Sequence, residues 1–275
     1  MTSGMARTPP SPQAAREAKA CCAAAYSHDV VRLVLGESYH PGGLSLTRRL
    51  AGLIGLAAGA RVLDVASGPG ATALLLAREH GVQVDGVDLA AASVARASQA
   101  ASSAGLAAQV RFTRGDAERI SFEDGTFDAV ISECAFCTFP DKPTAAAELA
   151  RVLRPGGRVG ISDVTVDRDR LSPELGSLAG WVACIADARP AEEYAAILAG
   201  AGLRTVLVER HDRALVAMVE QVEGRLVALR LVAGTSPSLA EVDWDDVLRL
   251  TRLARQAVAD GIAGYALLVA EKPKQ

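Results

Sequence analysis

The sequence predicts an α/β fold: a doubly wound, mostly parallel sheet of seven strands, with helices before the first strand and more inserted before the last. Three observations carry this expectation. From Arg61 onward, short apolar runs alternate with Ala-rich helical stretches; such alternation requires a parallel sheet with right-handed crossovers. The first run, Arg61-Val-Leu-Asp-Val-Ala-Ser-Gly-Pro-Gly70, ends in a glycine turn that opens onto a helix-forming stretch, Ala71 to Arg78. Strand, glycine turn and helix in that order leave backbone N–H groups free at a helix N-terminus, where a ligand can approach the main chain. Finally, 275 residues, 50% of them apolar, are enough for one large core. No internal repeat and no linker points to a second independent domain.

Taken in order, Met1 to Pro12 is polar and rich in Pro, lacks the apolar centre of a secretion signal, and reads as a disordered tail. Gln13 to Ala25 reads as a helix. Ser27 or His28-Asp29 is placed to cap a second one, Val30 to Leu35. His40-Pro-Gly-Gly43 is a turn, because Pro and Gly stop a helix and Gly admits positive φ. Leu44 to Leu56 is apolar at helical spacing, with Arg48 and Arg49 on its outer face. Residues 13–57 form either a helical layer on one sheet face or a lid over the glycine turn, which brings Tyr26, Tyr39 and His40 near the reaction.

Residues 58–165 hold the regular alternation. The strands are Arg61 to Ala66, Val82 to Leu89, Val110 to Thr113, Phe127 to Glu133 and Arg158 to Asp163. Helices fill 71–79, 91–104 and Lys142 to Leu153, the last closed by a turn at Arg154-Pro-Gly-Gly157. Residues 166–275 are less regular: a helix from Pro190 to Gly200, a strand from Leu203 to Glu209, helices near 214–232 and 242–259, and a last strand from Gly264 to Lys272.

Composition excludes several classes. A net charge of −3 gives no electrostatic footprint for nucleic acid or an anionic membrane. The longest apolar run, Leu50 to Ala60, is about half of a bilayer span. A soluble cytoplasmic protein with a small-molecule partner is therefore expected. The five cysteines, Cys21, Cys22, Cys134, Cys137 and Cys184, are odd in number and argue against a disulfide framework. Cys134-x-x-Cys137 stands without a second pair and is weak evidence for zinc.

The glycine turn narrows the ligand to a nucleotide-like cofactor. Gly68-x-Gly70-x-x-Ala73 fits the dinucleotide fingerprint, with Asp88 near the place of a ribose-binding acid. That fingerprint alone does not separate a nicotinamide enzyme from one using S-adenosyl-L-methionine. Three features outside it favour the second: Asp64 inside the strand, where a carboxylate holds the turn or meets an ammonium group; Asp116 after the third strand, suited to an adenine amine; and Leu153-Arg-Pro-Gly-Gly157 leading into the fifth strand.

On these residues the sequence resembles the class I methyltransferases that use S-adenosyl-L-methionine, closely over 61–164 and loosely in the flanks. The resemblance implies a Rossmann-like sheet. Asp64-x-Ala66-x-Gly68-x-Gly70 matches the family's acid–glycine motif, with Ala66 in place of its first Gly. It further implies that Gly68 and Gly70 approach the methionine part of the donor and that Asp88, with Leu89 beside it, binds the ribose hydroxyls. Asp116 and Ala117 would read the adenine, and Ser132 and Glu133 would border the sulfonium.

The acceptor side is marked by cysteine. In open α/β sheets ligands bind outside the carboxyl ends of the strands, and Cys134 follows the fourth strand there. Cys184, after the fifth, can converge on the same mouth. This pair resembles the arsenite methyltransferases, which the Pro140-Asp-Lys142 and Ser162-Asp-Val164 segments also fit. That group uses an upstream cysteine as well, for which Cys21 or Cys22 is the candidate. Trivalent arsenic is soft and prefers thiolates, so Cys134, Cys184 and Cys22 would be its ligands and Cys134 and Cys184 the catalytic pair. The alternatives are small buried thiols beside a small organic acceptor deprotonated by His40, Tyr26 or Glu133, and a donor-binding scaffold without turnover.

Overall fold

The computed structural model describes residues 12–27, 29–36, 39–176, 184–233, 239 and 242–274. The tail through residue 11, His28 of the expected cap, and the stretch 177–183 before Cys184 lie outside the described residues. The strands are β1 (Arg61–Val65), β2 (Gln83–Asp88), β3 (Val110–Arg114), β4 (Phe127–Glu133), β5 (Leu153–Val166), β6 (Arg204–Arg210) and β7 (Ala263–Glu271). They form one sheet in the order β3-β2-β1-β4-β5-β7-β6. The first five pair in parallel, and β7 runs antiparallel to both β5 and β6.

β1 is central, and its buried residues alternate between two cores as a pleated strand requires. Val62 joins Leu50, Ile54, Leu76 and Ile131 on one face, while Leu63 and Val65 join Val130, Leu149 and Tyr194 on the other. Helices cover both faces: α1 (Pro12–Ser27), α2 (Asp29–Leu35), α3 (Gly43–Ile54), α4 (Ala71–His80), α5 (Ala91–Ser103), α6 (Lys142–Val152), α7 (Ala191–Gly200), α8 (Asp212–Leu231) and α9 (Trp244–Ala259). α6 starts where a sequence reader would place it. Asp141 caps it, accepting the Thr144 N–H at 3.0 Å, and Pro143 occupies the first turn. Among the described residues no helix is long and apolar enough to cross a membrane.

One element departs from expectation. The turn expected at Arg154-Pro-Gly-Gly157 is extended chain, and β5 begins at Leu153. The reason lies in its partners: Leu153 pairs with Phe127, and Gly156 N–H donates to Lys272 O at 2.8 Å while Lys272 N–H donates to Gly157 O at 3.0 Å. The tail of β7 thus satisfies the backbone groups that a turn would have closed on themselves.

Candidate active site

The carboxyl ends of β1, β2 and β4 open onto a crevice of about 160 Å³. Asp64, Ala66, Gly68, Asp88, Leu89, Asp116, Ala117, Glu133 and Cys134 line it, so nearly every residue expected at the donor site is brought to one place. Gly70 is the correction. It packs away from the crevice, where an added Cβ would meet the Phe112 ring at 2.7 Å and Ala97 at 3.0 Å. At φ 89° it turns the chain into α4, so a packing and backbone role replaces the donor contact expected of it. Ser132 also stays out of the crevice, fully buried.

The acids differ in what they still have to offer. Asp88 accepts N–H bonds from Gly68 at 2.9 Å and Ala90 at 2.8 Å, so it shapes the glycine turn from the next strand. Asp64 is buried, with one carboxylate oxygen lacking any partner. Burial first, then the neighbouring Glu133 and Asp88, push its carboxyl well above the usual range. An ammonium group in the crevice would satisfy that oxygen and relieve the repulsion. Glu133, in contrast, is saturated: it accepts from Thr72 at 2.6 Å, Thr47 at 2.9 Å and Ser162 at 3.3 Å, with His40 at 3.5 Å.

The N-terminal helix supplies Lys19, Cys22, Ala23 and Tyr26 to the same crevice. Lys19 reaches across to Asp116 at 2.7 Å and Glu118 at 2.5 Å. Burial opposes the lysine's charge, but the hydrogen bonds to those acids outweigh it and raise its pKa. This clamp escapes sequence reasoning because Lys19 and Asp116 are 97 residues apart.

A second cavity, of about 410 Å³, lies behind the first and shares Tyr26, Tyr39 and Cys134 with it. Cys184 lines this second cavity. Its sulfur lies 3.0 Å from the Tyr26 hydroxyl and 3.5 Å from the Cys134 carbonyl oxygen. Hydrogen bonds from the Cys134 and Cys137 thiols and the Tyr26 hydroxyl hold the Cys184 thiol well below its ordinary range, helped by the Lys142 ammonium. The latter ion, buried, pairs with Asp187 at 2.5 Å. Cys22 stands on the donor side, its thiol pushed up to about 12 by burial. All five cysteines are free thiols. Among the described residues no group of three or more His, Cys, Asp or Glu side chains is arranged to hold a metal ion.

The backbone singles out the same positions. Among the described residues only Ala66, Cys134 and Cys184 are non-glycine residues at positive φ, at 58°, 51° and 62°. A left-handed conformation costs a side-chain-bearing residue roughly 1–2 kcal/mol. Two of the three places where this chain tolerates that cost carry a thiol.

Comparison with known proteins accords with the donor crevice. Residues 62–157 match the family model described as a methyltransferase domain. The chain is 31% identical over 237 residues to 27-O-demethylrifamycin SV methyltransferase of Amycolatopsis mediterranei, covering 83% of each. It is 33% identical over 129 residues to O-methyltransferase resE of Aspergillus sclerotiorum, of which it spans only 49%, from 47% of its own length. Among solved structures, phosphoethanolamine N-methyltransferase 2 of Haemonchus contortus in complex with S-adenosyl-L-methionine superposes with a TM-score of 0.73 at 24% identity, over 92% of this chain and 57% of that one. That likeness concerns the fold. The residues present fit the donor: an orphaned buried carboxylate oxygen faces the place of its ammonium, and Asp88 lines the crevice beside the glycine turn. The chain belongs to the S-adenosyl-L-methionine-dependent methyltransferase family and is an enzyme of that class.

Proposed function

We propose that the acceptor is trivalent arsenic, bound by Cys134 and Cys184 at the wall between the two cavities. The observation that carries this reading is the pair of strained cysteines, from separate segments, whose side chains meet there. Strain of this kind persists where a particular side chain is needed in a particular place. Cys184 supplies the thiolate and Cys134 the second sulfur, with Cys137 close behind; Cys22 stands across the crevice on α1, which acts as a lid latched by Lys19. When bound, S-adenosyl-L-methionine supplies an electrophilic methyl group and keeps the electron pair of its broken C–S bond as a neutral thioether. Asp64 takes the donor's ammonium and Asp88 its ribose hydroxyls, which fixes the line of transfer. The arsenic lone pair takes the methyl, and positioning, more than proton transfer, lowers the barrier. This step raises arsenic from trivalent to formally pentavalent. The two sulfurs return the electron pair by leaving as a Cys134–Cys184 disulfide, and water completes the trivalent product with loss of a proton. Sustained turnover then needs an added thiol reductant.

A second reading, methylation of a small organic molecule, is favoured by the size of the apolar cavity and by the rifamycin relative. Its difficulty is the base. His40 lines the donor crevice and not the cavity, Glu133 is saturated, and burial pushes Tyr26 well above its ordinary range. The deciding experiment measures S-adenosylhomocysteine formation with and without arsenite. Arsenite-stimulated turnover that disappears in Cys134→Ser and in Cys184→Ser is expected. Turnover that ignores arsenite and survives both changes would leave the organic acceptor.

A further inference from the structure

We propose, resting on the arsenic reading, that the acceptor is a trivalent organoarsenical whose uncharged apolar group fills the cavity behind Cys134 and Cys184. Three bonds and one lone pair complete trivalent arsenic. The protein offers two well-placed sulfurs, and among the described residues no third ligating group completes a site. The third bond is then free for the arsenic's own carbon, with the lone pair toward the donor crevice.

The cavity says what that carbon carries. Its walls come from Val31 and Val34 of α2, Met218 and Val222 of α8, and Leu250 and Ala254 of α9. No charged side chain lines it among the described residues. Its indole, Trp244, already donates to Leu239 O at 3.1 Å. An apolar cavity of roughly 150 Å³ stays dry and takes up benzene; this one, at about 410 Å³, has room for a substituted ring. Inorganic arsenite brings only oxygens and would leave the volume behind it to water facing apolar walls, which is unfavourable. A charged substituent would lose its hydration there with nothing to replace it. The transfer balances as before: the As–C bond forms at the lone pair, the C–S bond breaks with its electrons on the donor sulfur, and the two cysteine sulfurs return two electrons as a disulfide.

The test uses the full chain under thiol reductant with three probes: phenylarsine oxide, its 4-carboxy analogue and arsenite. Binding is read without donor from tryptophan fluorescence, in the wild type and in Cys184→Ser, each affinity taken relative to that for a small dithiol in solution. Phenylarsine oxide is expected to bind at least tenfold more tightly than either other probe, with that preference lost in Cys184→Ser. With donor present, a methyl(phenyl) arsenical should form in step with S-adenosylhomocysteine. In Met218→Trp the preference for phenylarsine oxide over arsenite should fall at least tenfold. Arsenite turned over with no preference for the phenyl compound in the wild type would overturn this inference and leave the arsenic reading standing. No turnover of either arsenical would remove both.

Discussion

Replacing Asp163 with Asn removes a carboxyl whose ionisation opposes folding near neutral pH. Asp163 is fully buried and accepts N–H bonds from Cys137 at 2.8 Å and Val164 at 2.7 Å. Burial, then the neighbouring Cys184 sulfur, raises its pKa to about 7, against about 3.9 in an unfolded chain. Below the unfolded value both states hold the proton and stability does not vary with pH on its account. Between the two values the folded chain keeps a proton that the unfolded chain has lost, so stability falls as pH rises. About three units at 1.36 kcal/mol each give roughly 4 kcal/mol, lost in full above the folded value. Asn keeps a carbonyl acceptor for one N–H and does not titrate. Urea unfolding of both proteins under thiol reductant, from about pH 5 to about pH 8, isolates the effect as a difference. The wild type should lose about 1.4 kcal/mol per pH unit relative to Asp163→Asn up to about pH 6.5, then level off. A difference constant to within about 0.5 kcal/mol across that range would refute the reasoning.

Further substitutions test other parts of the account. Gly70→Ala should cost about 2–5 kcal/mol in chemical denaturation, from its positive φ and from overpacking against Phe112 and Ala97. Cys184→Gly should be more stable than Cys184→Ala by about 1 kcal/mol, since only glycine escapes the left-handed penalty, while neither variant turns over arsenite. Lys19→Met removes the latch on Asp116 and Glu118, so stopped-flow binding should show the donor entering and leaving several-fold faster. Unchanged rates would mean that α1 does not gate the crevice.

The core of the fold was legible because β1 to β5 are buried on both faces and read as apolar runs between Ala-rich helices. Asp64, Asp88 and Glu133 were legible because each ends a strand at the sheet edge where α/β ligands bind. Gly70 misled, since one glycine motif serves both ligand approach and close packing, and only the position of Phe112 decides between them. The start of β5 at Leu153 was hidden for a related reason: Pro and two Gly signal a turn locally, and pairing with Lys272 overrides it. The Lys19 clamp, the role of Cys137 and the apolar cavity depend on contacts between distant segments. Nothing in their local spacing announces them.

Because Tyr26, Tyr39 and Cys134 wall both cavities, the distance from one to the other is a single side chain. A compound that tethers an adenosine thioether to an aromatic ring through a one-carbon bridge would span that partition. Its second half would bind at the high local concentration that a short tether imposes. Such a bisubstrate inhibitor would suit this enzyme whichever acceptor it uses, and its optimum linker would be short.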